Sequence, residues 1–165
     1  MQVPHELVDA NYKASHFYLL STNHACRQCG VVTRVYALAM PASHQSLHRD
    51  DNNESADVWQ PAEVPTVLFH VAALTADVAM CLQELAPSYR LSSNTCNNAR
   101  WTNHCDHCHE PLDDDELHCE LEAAFMPISI EAARAIHLVE VLESIQVNAA
   151  DSALDAQWLP GVSRH

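Results

Sequence analysis

Two C-x-x-C pairs, Cys26-Arg27-Gln28-Cys29 and Cys105-Asp106-His107-Cys108, constrain this chain more than any other feature. Two residues between cysteines make a tight turn that aims both sulfurs at one point, with turn amides free to donate to the thiolates. Two such turns supply four thiolates, enough to close a tetrahedral site around one ion. Each pair follows the same tripeptide: Thr22-Asn23-His24 stands one residue ahead of Cys26, and Thr102-Asn103-His104 directly precedes Cys105. The position after the second cysteine often needs a positive φ. Gly30, one of only two glycines in the 165 residues, stands there in the first copy, and His109 in the second.

The expected ligands are therefore Cys26, Cys29, Cys105 and Cys108 around a structural Zn²⁺, with iron in the same four-sulfur geometry ranked below zinc. The 75 residues between Cys29 and Cys105 far exceed the roughly 15–20 of short zinc modules. The ion would close a large loop, tying an N-terminal hairpin to the C-terminal half, and its binding energy would be folding energy. Of seven cysteines, Cys81 reads as a core thiol beside a helical apolar stripe, while Cys96 and Cys119 have no close partner in sequence. An odd cysteine count, and a start (Met1-Gln2-Val3-Pro4-His5-Glu6) without an apolar leader core, point to a reducing, cytoplasmic setting and not to a disulfide framework. No apolar run reaches the ~18 residues of a membrane span.

Around the second pair stand His104, His107, His109 and His118, with Asp113, Asp114 and Asp115 nearby. A second, open metal site would draw on these, but no H-E-x-x-H is present. His118-Cys119-Glu120 spells H-x-E after the C-x-x-C, whereas the zinc deaminase order places it before. These histidines read as supporting or surface groups, and no catalytic residue is assigned. Two glycines could hardly build a phosphate loop, and G-x-S-x-G is absent.

Charge is lopsided. Eight Lys and Arg against 22 Asp and Glu give −14, and residues 101–165 alone carry Arg134 and Arg164 against thirteen acids, or −11. Such a field opposes binding of nucleic-acid backbone, although Arg27, Arg34, Arg90 and Arg100 could form a local basic patch. The run Asp113-Asp114-Asp115-Glu116 reads as a solvated face able to steer a basic protein partner. Neutralising that run is expected to leave folding intact.

Hydrophobic patterning gives strands at 16–20, 31–40, 66–71 and 98–104, and a helix over 75–85 with Thr75 as its cap. A second helix is expected over 130–145, capped by Ser129, with Ala135, Leu138, Leu142 and Ile145 as its stripe. Residues 42–64 read as an exposed loop, and 147–165 as a poorly patterned tail in which Trp158-Leu159-Pro160 docks back on the body. The expected fold is a single α+β domain over 1–165: a small antiparallel sheet with zinc-ribbon-like paired knuckles and two main helices.

The stretch Trp101-Thr-Asn-His-Cys-Asp-His-Cys, with Leu112-Asp113-Asp114 and Leu117-His118, resembles a pattern in uncharacterised bacterial proteins that carry paired zinc knuckles. Their first knuckle likewise runs into an apolar strand, as Cys26-Arg-Gln-Cys-Gly-Val-Val-Thr-Arg-Val-Tyr-Ala-Leu does here. The resemblance spans 22–40 and 100–128, and it implies a zinc-ribbon-like core in a bacterial cytoplasm but no activity. The expected function is a zinc-stabilised, acidic protein-binding module (an inhibitor, immunity-like or adaptor protein). A metal-dependent hydrolase and a nucleic-acid-binding zinc ribbon are the alternatives.

Overall fold

The computed structural model describes residues 9–48, 57–92, 99–120, 122–151, 159 and 163–164. In chain order its elements are β1 (Tyr12–Ala14), β2 (Phe17–Ala25), β3 (Val32–Met40), β4 (Gln45–His48), β5 (Val58–Pro61), β6 (Thr66–Leu74), α1 (Ala76–Leu85), β7 (Tyr89–Ser92) and β8 (Arg100–Asn103). Then follow α2 (Asp114–His118), α3 (Ile130–Arg134), β9 (His137–Val141), β10 (Ile145–Asp151) and β11 (Ser163–Arg164). Among the described residues, nine strands form one sheet in the order β11-β9-β2-β3-β6-β10-β1-β4-β5, while β7 and β8 pair separately. Pairing is antiparallel except where β11 lies parallel to β9.

Both faces of the central strands are covered, which explains near-continuous apolar runs such as Ala37-Leu38-Ala39-Met40. Successive residues divide between two clusters. Leu20, Val35, Ala37, Ala39, Val67 and Leu138 meet the second cysteine pair, Leu112, Leu117 and Phe125 on one face. Phe17, Leu19, Leu38, Met40 and Leu68 meet Val78 and Leu82 of α1, Tyr89 and Ile145 on the other. Thr75 stands at the N-cap of α1 as expected, yet its side chain makes no capping bond and its Oγ1 is buried without a partner among the described residues.

Three expectations need correction. The helix over 130–145 stops at Arg134, where Ser129 does cap it by accepting from the Ala132 N–H at 3.1 Å. Beyond it the chain forms β9 and β10. Leu138 and Ile145 are buried in the sheet, while Leu142, nominally on the same stripe, is 83% exposed in the turn between them. The spacing of that stripe was coincidental, because Val139, Val141, Ile145 and Val147 are stiff at χ1 and suit a sheet. The sheet is therefore not small, and two main helices are not found among the described residues: α1 has ten residues, α2 and α3 five each.

The loop 42–64 contains the antiparallel pair β4–β5, whose 49–56 connection lies outside the described residues. The tail contributes β10, an interior strand paired with β6 and β1. Leu159 is buried in the first cluster, in keeping with docking of the tail; Trp158 and Pro160 lie outside the described residues. No helix among the described residues is long and apolar enough to cross a membrane.

Candidate metal centre

The first knuckle is the tip of the β2–β3 hairpin, which is paired continuously from Tyr18 with Ala39 to Ala25 with Val32. The Cys26 N–H donates to the Val31 carbonyl (3.0 Å) and the Gly30 N–H to that of Cys26 (2.8 Å). The second knuckle repeats this geometry one for one. Cys105 N–H donates to the Glu110 carbonyl (2.9 Å) and His109 N–H to that of Cys105 (3.0 Å). Gly30 has φ +75° and His109 φ +65°, so both turns place a left-handed residue after the second cysteine. The histidine that departs from the glycine pattern adopts the same conformation at a steric cost.

All four sulfurs lie within 4.8 Å of one another. Cys26 Sγ approaches Cys108 Sγ, and Cys29 Sγ approaches Cys105 Sγ, each to 3.7 Å. Metal–sulfur bonds of ~2.3 Å in a tetrahedron require sulfur–sulfur edges of about 3.8 Å, so the donor set fits such an ion. Cys26 and Cys105 are buried against the first core cluster, while Cys29 and Cys108 are half-buried beside it.

Backbone amides around the cluster favour negative sulfur. The N–H of Cys108 and that of His107 (3.4 Å) draw the Cys105 thiol below its ordinary pKa. Cys108 is pushed up to about 12: the Glu110 amide favours its thiolate, but burial and the facing sulfurs of Cys26 and Cys105 outweigh that amide. Four crowded sulfurs without a counter-charge keep some protons, and a divalent cation would supply that charge.

Further contacts join the same two segments. Glu116 Oε1 on α2 receives both Arg27 Nε (2.8 Å) and His24 Nε2 (3.0 Å), and Arg27 Nη2 reaches Glu120 (3.2 Å). The Asp106 N–H donates to Thr33 Oγ1 at 2.9 Å. Asn103, fully buried, bonds both backbone groups of Tyr36. The repeated Thr-Asn-His had signalled the knuckles, but nothing in the sequence separates the role of Asn103 from that of exposed Asn23.

The histidines flanking the second knuckle are not drawn into the cluster. His104 is buried with Nδ1 facing the carbonyls of Thr102 (2.9 Å) and Ser88 (3.2 Å), and burial lowers its pKa. His107 and His109 are exposed. His118 is stacked between Phe69 and Phe125, with centroids at 5.4 and 5.1 Å, and burial, aided by nearby His70, lowers its pKa to about 3.

The acidic run is only partly a solvated face. Asp113 caps α2 by accepting from the Asp115 N–H (3.0 Å), and Asp114 is buried, accepting from the N–H of His70 (2.9 Å). Burial raises the Asp114 pKa. His70 itself has φ +50° in a bulge of β6, where residues 70–72 oppose the single residue 149, and its Nε2 meets Asp115 at 2.9 Å. Asp114 and Glu116 thus make structural contacts, so the run is not a test of steering alone.

Of the four arginines in the basic-patch reading, Arg27 is already paired with acids and Arg34 donates to Ser21 Oγ (2.8 Å). Cys81 is half-buried on α1, Cys119 is exposed after α2, and Cys96 lies outside the described residues. Among the described residues, no second group of three or more His, Cys, Asp or Glu converges as the four cysteines do. Comparison with protein-family models, with curated proteins and with solved structures finds no match, so the likeness to paired-knuckle bacterial proteins rests on the two cysteine segments alone.

Proposed function

We propose that the chain is a zinc-stabilised binding module whose acidic surface receives a basic protein partner. The observation that carries the zinc half is the convergence of four thiols from two matching turns. Four thiolates fill a tetrahedral shell and leave no open position for water or substrate, which is the composition of a structural site. Thiolate donors also favour zinc over hard cations. The first turn is the tip of the β2–β3 hairpin and the second is closed by the single bridge His104–Pro111, a pairing of knuckles like that of a zinc ribbon. Six free cysteines among the described residues suit a reducing, cytoplasmic setting.

The partner half is supported by charge. Asp106, Glu110, Asp113, Asp115, Glu120 and Glu122 are exposed around the second knuckle and α2. Zinc with four thiolates adds a further −2 there. Such a field speeds encounter with a cationic surface and repels acidic competitors.

Metal analysis of the purified protein tests the first half, with one zinc per chain expected. Two metals per chain would favour the hydrolase, and none would remove the reading. Affinity capture from the native cell tests the second half. A recovered partner with a basic surface and salt-sensitive binding is expected; a partner that is acidic, or bound independently of salt, would refute it.

A further inference from the structure

We propose that the four-cysteine site is also a modification site for hydrogen peroxide, at which oxidation expels the ion and joins the knuckles through Cys26–Cys108 and Cys29–Cys105 disulfides. A covalent clasp would thereby replace the metal one. The inference rests on the reading of the four thiolates as zinc ligands.

The exposure pattern sets the order of attack. Cys29 and Cys108 are half-buried, whereas Cys26 and Cys105 are 2% and 1% exposed. A peroxide meets the outer sulfur of each knuckle first, and a buried sulfur of the opposite knuckle waits at 3.7 Å from each. The Cys108 thiolate attacks one peroxide oxygen, the O–O bond breaks, hydroxide leaves and a sulfenic acid forms. The Cys26 thiolate then attacks that sulfur, the S–S bond forms and a second hydroxide leaves. Two thiolates have lost two electrons, one peroxide has been reduced, and two solvent protons turn both hydroxides into water. Cys29 and Cys105 repeat the sequence with a second peroxide. An ion stripped of its thiolates has no ligands left in the site.

Pairing across the knuckles, and not within each C-x-x-C, follows from what else holds the turns together. Arg27 and His24 on Glu116, and the Asp106 N–H on Thr33, are contacts beside the sulfurs that face one turn towards the other. Within each turn the carbonyl and amide bonds of Cys26 and Cys105 brace the loop against collapse onto itself. Moving from 3.7 Å to a bonded ~2.05 Å asks each sulfur to travel about 0.8 Å.

The test uses the wild-type chain. Its metal content is measured first, and it is then treated with hydrogen peroxide beside a chromophoric zinc chelator and mapped by non-reducing peptide mass spectrometry. Release of one zinc per chain is expected, together with peptides linked Cys26–Cys108 and Cys29–Cys105. The oxidised, metal-free protein should melt cooperatively, unlike reduced protein stripped by a chelator. Links within Cys26–Cys29 and Cys105–Cys108, sulfinic or sulfonic acids without disulfides, or retention of the metal would each overturn the proposal while leaving the zinc assignment standing. A chain isolated without metal overturns both.

Discussion

The side-chain amide of Asn103 pairs with the backbone of Tyr36 as a neighbouring strand would: Oδ1 accepts the Tyr36 N–H at 2.8 Å and Nδ2 donates to the Tyr36 carbonyl at 2.8 Å. β6 pairs with β3 through Thr66–Leu68 against Leu38–Met40, so among the described residues Tyr36 has no ladder partner on that side. One buried side chain takes the missing strand's place, two residues before Cys105. Asn103→Leu should therefore strand a donor and an acceptor in the interior. Each costs about 1–3 kcal/mol, so urea unfolding should show a loss of roughly 2–6 kcal/mol. Wild-type stability in that variant would mean that the amide contributes nothing.

The metal assignment gives the largest expected effect. Structural zinc supplies an apparent ~10–16 kcal/mol in small peptides, comparable to or above the ~5–15 kcal/mol by which whole domains are stable. Cys105→Ser should lose both the metal and cooperative thermal unfolding. Cys119→Ser, at an exposed thiol outside the cluster, should change neither. A Cys105→Ser protein that kept its metal and melted like wild type would contradict the assignment.

The matched turns predict opposite outcomes for opposite substitutions. A Cβ at Gly30 would meet nothing within 4 Å, so Gly30→Ala is charged only for the positive φ, about 1 kcal/mol. His109 already bears that strain, and His109→Gly should raise stability by roughly 0.5–1 kcal/mol. Chemical denaturation of both variants, saturated with zinc, decides this. A destabilised His109→Gly would show that the imidazole makes a contribution larger than its backbone cost.

What the sequence made legible was local. Ligand spacing in a C-x-x-C is fixed by one turn, so the four cysteines could be read directly, and β2, β3, β6 and α1 carry strong apolar patterns of their own. β9 and β10 were missed because a helical stripe and a pair of strands can share the same apolar positions, and only pairing with β2, β6 and β1 decides between them. β4 and β5 lie at the sheet's edge, where polar residues such as half-buried Gln45 and Ser46 and exposed Gln60 look like loop. Asp114 was invisible as a buried group because its partner is a backbone amide in a bulge 44 residues away.

His118 supplies a pH dependence. Its pKa falls from 6.5 to about 3 on folding, so the folded state binds fewer protons than the unfolded chain between those values. The stabilisation is full above about pH 6.5 and is lost as the pH falls towards 3. Between pH 7 and 5.5 the loss should be about 1 kcal/mol. Asp114, whose pKa burial raises, works the other way, gaining stability when it takes up a proton. Acid also strips thiolate-bound metal, so the useful quantity is the difference between wild type and His118→Leu, both saturated with zinc. That difference should shrink with acid; a constant offset would remove His118 as the source.

The steering idea must be tested away from the acids that hold structure. Asp106, Glu110 and Glu122 are exposed, and changing them to Asn, Gln and Gln removes three negative charges while sparing the Asp113 cap, the Asp114–His70 bond and the Glu116 clasp. Stability should stay within about 0.5 kcal/mol of wild type, as for surface substitutions in general. Association with the partner recovered by affinity capture should slow at low ionic strength. The rates of variant and wild type should then converge at 1 M salt, where the Debye length is only about 3 Å. Equal rates for the two proteins at low salt would show that this face does not guide the encounter.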